Sequence, residues 1–273
     1  MNEDSTDRPT SIEQYRKWLK EAHGVTVDRR TRSYYESVAL KLENTFRESA
    51  LWIDLCSGLA ARNQEYYAKT GYYLLMEPDA EPKLSRKPYD SFLLKTFRKN
   101  ILENQIFPNP PSGGWLLPDS WFSSINDIVR TTLIVKYLDG VKFTCDNIEV
   151  ICNGTGFQFD SSFEARDDGY YAAHIVVGTE AEIPKMDFDT VRISAHLEIQ
   201  VTTQLQEVIR RLLHLYYEEK RKVRSADDGY KWQWDYEGDE FVANYLGHIL
   251  HYVEGMIMDV RARGSSDTKG VQS

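Results

Sequence analysis

Apolar positions recur along this chain with helical spacing at first, then with strand spacing, then with helical spacing again. Residues 11 to about 76 read as helices: "SIEQYRKWLKEAHG", "RSYYESVALKLENTF" and the stretch from Ala50 to Tyr73. The first opens on Ser11 with Gln14 three positions later, a capping-box pattern, and closes at Gly24. Three prolines in "MEPDAEPKLSRKP" then break the pattern. Further on, "DIVRTTLIVKYL", "GYYAAHIVVG" and "HLEIQVTT" read as strands, preceded by a Pro- and Gly-rich loop, "IFPNPPSGGWLLPDSWF". In the last of these strands Leu197, Ile199 and Val201 share one face, while His196, Glu198, Gln200 and Thr202 form a polar comb on the other. "QLQEVIRRLLHLYYEEKRKV" predicts a long helix, and "FVANYLGHILHYVEGMIMDVRAR" another before a tail expected to be disordered. The chain thus divides into an N-terminal helical region (1–83), a mixed core (84–222) and a C-terminal helical extension (223–273), with no internal repeat.

Composition narrows the class. With 273 residues, 41% hydrophobic and 12% aromatic, the chain can bury a full core. No apolar run approaches a membrane span of about 18 residues, and "MNEDSTDRPT" is acidic where a secretion signal would be basic and then apolar, so a cytoplasmic protein without a membrane partner is expected. Cys56, Cys145 and Cys152 are odd in number and lack CxxC spacing, which disfavours a disulfide framework or a zinc site.

The net charge of -9 disfavours broad binding to nucleic acid, yet the charge is uneven. Between Lys83 and Lys99 six basic residues face Asp90 as the lone acid. Pro88 suits the first turn of a helix, on which Lys87, Ser91, Lys95 and Arg98 would share one face. Such a stripe is commonly a solvated face, but it also supplies the charges and donors that a triphosphate needs. Asp127 stands where the chain enters a β-branched strand; an aspartate there serves as a turn residue or reaches the sheet edge to coordinate Mg²⁺. Tyr170 and His174 are four apart with Ala172 between them, so a planar base could stack on the tyrosine, although aromatics are ordinary on sheets. His248, His251 and Glu254 sit at helical spacing, a weak candidate for metal chelation.

Taken in order, these pieces resemble the synthetase domain of RelA/SpoT-type nucleotide pyrophosphokinases, the enzymes of alarmone metabolism. Lys87, Ser91 and Lys95 match that family's Lys-Ser-Lys motif, with Arg86 and Arg98 flanking. Asp127 is similar to its metal-binding aspartate, "DGYYAAH" to its Asn-Gly-Tyr-x-x-x-His loop, "EIQVTT" to its Glu-x-Gln-x-x-Thr strand, and "HLYYEEK" to the helix that follows. The likeness covers residues 84–222, about half of the chain.

The resemblance implies an α+β fold, with a mixed nucleotidyltransferase-like sheet flanked by helices, and transfer of the β,γ-pyrophosphate of ATP to a 3′-hydroxyl. Under it Arg86, Lys87, Ser91, Lys95, Arg98 and Arg130 would bind ATP. Asp127 and Glu198 would be catalytic and hold Mg²⁺, and Tyr170, His174 and Gln200 would receive the acceptor. Nucleotide acceptors rank first, GDP or GTP ahead of the others, and the 3′ end of tRNA second; an adenine nucleotide or tRNA as acceptor would imply a toxin, which in the tRNA case blocks translation. Arg210, Arg211, Lys220, Arg221, Lys222 and Arg224 are the basic residues that a tRNA would need. An antitoxin or a self-inhibiting terminal helix would be a natural partner, and a catalytically inactive nucleotide-binding module is the alternative of a different class.

This chain departs from the family pattern at three places. Thr132 and Thr202 stand where arginines are usual, with Arg130 on the same strand face as a substitute for the first, and Arg166 is the only cation before the tyrosine loop. Nothing resembles the family's hydrolase domain, so a synthetase alone is expected.

Overall fold

The computed structural model describes residues 8–75, 81–186, 189–223 and 231–270, with backbone alone at 214–223, 239 and 264–270. In chain order the elements are α1 (Ile12–His23), α2 (Arg29–Arg47), α3 (Ala50–Thr70), β1 (Ser85–Arg86) and α4 (Tyr89–Phe97), which runs into a π-helical turn at Arg98–Leu102. There follow α5 (Trp121–Ser124), β2 (Val129–Val135), α6 (Leu138–Thr155), β3 (Gln158–Ala165), β4 (Tyr171–Pro184), β5 (Thr190–Thr203), α7 (Gln204–Val223) and α8 (Asp239–Gly270). The five strands form one mixed sheet in the order β1-β2-β5-β4-β3, flanked by helices, so the expected α+β class holds.

The local signals act as their chemistry requires. Ser11 caps α1 by accepting the Gln14 N–H at 3.2 Å, while the Gln14 side chain reaches one residue further back than in the standard box, to the Thr10 N–H at 2.7 Å. Gly24 ends the helix at φ 67°, a left-handed conformation that costs glycine nothing. In β5 Leu197, Ile199 and Val201 are fully buried and His196, Glu198 and Gln200 half-buried, as the alternation predicts. β2 alternates likewise, Val129, Thr131, Leu133 and Val135 buried and Arg130, Thr132 and Ile134 half-buried.

Two local expectations are corrected. Lys87 precedes α4 rather than riding on it: its N–H bonds the Ile128 carbonyl at 2.9 Å, extending the pairing of β1 with β2, and Pro88 occupies the N-cap. The helical segment after Phe241 runs on to Gly270, taking in residues that composition alone assigns to the tail.

The chain forms two compact units, both discontinuous in sequence. The first comprises Met1–Ile53, Lys83–Thr131 and Val176–Glu198; the second, Asp54–Pro82, Thr132–Ile175 and Ile199–Ser273. In the first, α1 and α2 pack on α4 through aromatic side chains: Tyr15 lies 5.2 Å from Phe97 between ring centres, and Tyr35 stacks on Phe92 at 4.2 Å. Offset and tilted pairs of this kind add about 0.5–1.5 kcal/mol each beyond burial. In the second, α8 packs on α7 and α6, and Arg261 lies over the rings of both Tyr72 and Tyr137, 4.2 Å from each, while bonding Asp139 at 3.1 Å. Among the described residues no helix is long and apolar enough to cross a membrane.

Candidate active site

The basic segment and the aspartate meet in the first unit. Asp127 sits in the turn before β2, 7% exposed. Its two oxygens receive Lys87 Nζ at 2.8 Å and Lys95 Nζ at 2.9 Å, one lysine from the β1–α4 junction and the other from the second turn of α4. Burial alone would raise the carboxyl pKa; the two ammonium groups outweigh it and hold Asp127 at about 2. Burial pulls Lys87 below the ordinary lysine range even though Asp127 favours its charge. Two cations thus share one carboxylate, and the cluster carries a net positive charge that an anionic ligand can neutralise.

The other predicted ATP ligands surround this centre unevenly. Arg86 bonds Glu43 at 2.9 Å, and Arg130, half-buried on β2, adds its charge to the field that Lys87 feels. Arg98 has turned into the π-helical segment and pairs with Glu103 at 2.7 Å, and Ser91 is exposed on α4. Lys87 and Lys95 are therefore the members of the stripe that converge, and they do so because a turn before the helix and a turn within it both face Asp127.

Glu43 and Tyr35 were not visible as participants in the sequence. Glu43 is 8% exposed and also pairs with Arg47. Its one available signal is that it follows Leu42 within the buried stripe of α2, which includes Ala39 and Phe46. Tyr35 donates its hydroxyl to the Lys87 carbonyl at 2.8 Å, and burial, followed by the charge of Asp127, pushes its phenol pKa up. Both residues hold the backbone and side chains of the β1–α4 junction.

Glu198, the catalytic candidate, is half-buried on the polar face of β5, the strand next to β2 in the sheet. In the second unit Gln200 continues that comb, and Thr202 donates to the Tyr171 carbonyl at 3.2 Å. Tyr170 and His174 are brought together: hydroxyl and Nε2 are 2.8 Å apart, and Glu164 lies 3.8 Å from the same nitrogen. Arg166 sits over the Tyr170 ring at 4.6 Å and bonds Glu164 at 2.7 Å, so the single cation before the loop is engaged with the tyrosine itself.

Other expected groups go elsewhere. Arg210 and Arg211 both pair with buried Glu207, at 2.6 and 2.7 Å, so one carboxylate offsets part of their charge. The side chains of Lys220, Arg221 and Lys222, and all of Arg224, lie outside the described residues. Among the described residues no three His, Cys, Asp or Glu side chains are disposed to hold a metal ion; His248 and His251 both engage Tyr171 instead. That finding bears on a protein-only cage and not on Mg²⁺, which needs one or two carboxylates once phosphates and water complete its shell. The ionised carboxylate of Asp127 fits that requirement.

No protein-family model matches the chain, and no curated protein matches it. Solved structures do. Small alarmone synthetase 1 from Bacillus subtilis is 14% identical, with a TM-score of 0.50 over 87% of this chain and 97% of that one. The structure of that enzyme bound to its product pppGpp has the same identity and TM-score over 93% and 99%. Small alarmone synthetase 2 from Bacillus subtilis is 13% identical, with a TM-score of 0.50 over 84% and 98%. The order of strands and helices that brings Lys87, Lys95 and Asp127 together is thus the fold of the RelA/SpoT-type small alarmone synthetases.

Proposed function

We propose that this chain is a pyrophosphokinase that transfers the β,γ-pyrophosphate of ATP to the 3′-hydroxyl of a purine nucleotide, with GDP or GTP as acceptor. The observation that carries this is the convergence of Lys87 and Lys95, from two elements, on the buried carboxylate of Asp127. Phosphoryl and pyrophosphoryl transfer leave little covalent chemistry for the protein; positioning and charge neutralisation do most of the work. Lys87 and Lys95 would exchange Asp127 for phosphate oxygens, with Arg130 adding charge; Arg86 and Arg98 would do so only on leaving Glu43 and Glu103, and Ser91 would add a hydrogen bond only on meeting a phosphate at the exposed face of α4. Asp127, with Glu198, would hold Mg²⁺, which would supply charge to offset that of the phosphates.

In the transfer the acceptor 3′-oxygen bonds to the β-phosphorus. The bond from that phosphorus to the α,β-bridging oxygen breaks, AMP leaves with the electron pair, and Glu198 takes the hydroxyl proton. Tyr170 would stack on the acceptor base, His174 would lie near its phosphates, and Gln200 would line the pocket. A tRNA acceptor ranks lower because Arg210 and Arg211 share the carboxylate of Glu207, which offsets one of their two charges.

The deciding experiment incubates the protein and its Asp127→Asn variant with γ-labelled ATP, Mg²⁺ and, separately, GDP, GTP, AMP, ATP and deacylated tRNA. Label moving to GDP or GTP and lost in the variant supports the proposal. Label moving only to AMP or ATP keeps the reaction and changes the acceptor nucleotide, label moving only to tRNA replaces the acceptor class, and no transfer to any acceptor favours a binding module.

A further inference from the structure

The loop that carries Tyr170 is held from behind by α8. Within Arg166–Tyr171 the chain turns tightly: the Gly169 N–H bonds the Arg166 carbonyl at 3.0 Å, and the Arg166 N–H bonds the Tyr170 carbonyl at 3.0 Å. Gly169 has φ 78°, and its backbone lies directly on α8. A Cβ at Gly169 would stand 3.1 Å from both Gly247 Cα and the His248 nitrogen and would overlap the Asn244 carbonyl. A Cβ at Gly247 would overlap the Gly169 carbonyl in turn. Two glycines back to back let a loop and a helix touch backbone to backbone, a contact that any side chain at either position would prise apart.

Polar bonds fix the register of that contact. His248 uses both ring nitrogens: Nε2 lies 2.9 Å from the Asp167 carbonyl and Nδ1 2.8 Å from the Tyr171 hydroxyl. The carbonyl can only accept, so Nε2 carries a proton and neutral His248 accepts the tyrosine hydroxyl at Nδ1. One turn later His251 stacks on the Tyr171 ring, 3.7 Å between centres and 8° between planes. Glu254, 4% exposed, bonds Thr203 at the end of β5, and Gln206 bonds the Gly247 carbonyl at 3.3 Å. The flanks of Tyr170, at Asp167, Gly169 and Tyr171, are thus each tied to α8, an element outside the stretch in which the family motifs occur.

We propose that His248 is a positioning residue for the acceptor, and that α8, through His248 and the Gly169–Gly247 contact, holds the Tyr170 loop in its binding conformation. The role of Tyr170 rests on the function proposed above; the order of the loop does not. Releasing the latch would leave ATP binding intact and weaken the acceptor, because a loop that must be ordered on binding charges that entropy to affinity.

The test uses the full chain with His248→Ala, His248→Gln and Gly247→Ala, and has two arms. In the first, amide hydrogen exchange of residues 166–171 is followed without any ligand. At least a tenfold acceleration is expected in His248→Ala and Gly247→Ala, with partial protection restored in His248→Gln, whose amide can still donate to the Asp167 carbonyl. Unchanged exchange in both disruptive variants would overturn the latch. In the second, KM for GDP is expected to rise about tenfold in His248→Ala while KM for ATP stays fixed. Faster exchange with unaltered KM for GDP would overturn the positioning role. Tyr170→Ala serves as the control: were it to leave the KM for GDP unchanged, the assignment of Tyr170 would fail, and the exchange arm would still decide the latch.

Discussion

Removing the charge of Asp127 should destabilise the protein in a pH-dependent way, by an amount that the geometry sets. The carboxyl falls from its ordinary value of 3.8 to about 2 in the folded chain. At about 1.36 kcal/mol per unit this is worth roughly 2 kcal/mol at neutral pH. Because the folded value is the lower one, the contribution is complete above about pH 5, shrinks as pH falls past the ordinary value and disappears as pH falls through about 2. Asp127→Asn also strands Lys87, whose side chain is 11% exposed, as a buried cation without a counter-charge. Breaking a buried pair in this way costs up to about 3–5 kcal/mol, so a loss of about 2–4 kcal/mol is expected at pH 7.

Urea unfolding at pH 7 would show that loss as a midpoint lowered by about 1 M or more at unchanged slope. The gap between variant and wild type should close between pH 5 and pH 2, and a carboxyl titration followed by NMR should place Asp127 near 2. Adding Lys87→Met to Asp127→Asn should recover stability, since the orphaned charge is then gone. A variant within about 0.5 kcal/mol of wild type at pH 7, or an Asp127 titrating near 4, would refute the buried ion triad.

Glu198→Gln should abolish label transfer while ATP and acceptor still bind, which equilibrium dialysis can check; full activity in this variant would remove Glu198 from the mechanism. Tyr35→Phe, which deletes the bond to the Lys87 carbonyl, should cost about 1 kcal/mol in thermal or urea unfolding and raise the KM for ATP more than that for GDP. Asn63→Leu should cost more, about 2–3 kcal/mol in urea unfolding, because the buried Asn63 oxygen accepts the N–H groups of both Leu74 and Leu75, at 2.8 and 3.1 Å, and a leucine would leave both donors unpaired.

Periodicity and caps alone determined much of this protein. Ser11, Gln14 and Gly24 delimit α1, and the alternation in β5 puts Leu197, Ile199 and Val201 inside with Glu198 and Gln200 on the polar face. These are local properties, set by φ/ψ preference and a repeat of two or 3.6 residues. The order of short motifs along the chain also pointed to the synthetase fold, although no full-length sequence likeness supports it.

Tertiary structure decided what those residues touch. On paper Lys87, Ser91, Lys95 and Arg98 form one helical stripe; in the fold the first is drawn out of the helix by β1–β2 pairing and the last is turned away into a π-helical segment. Glu43 reads as one more acid on a surface helix and Tyr35 as one more core ring, until α2 is laid against β1 and α4. The Gly169–Gly247 contact joins positions 78 residues apart, and no local signal encodes such a pair. A motif preserves which side chains are available; which of them share a charge is fixed only when distant backbone segments pack, because Coulomb and hydrogen-bond energies depend on separations of a few ångströms that chain spacing does not carry.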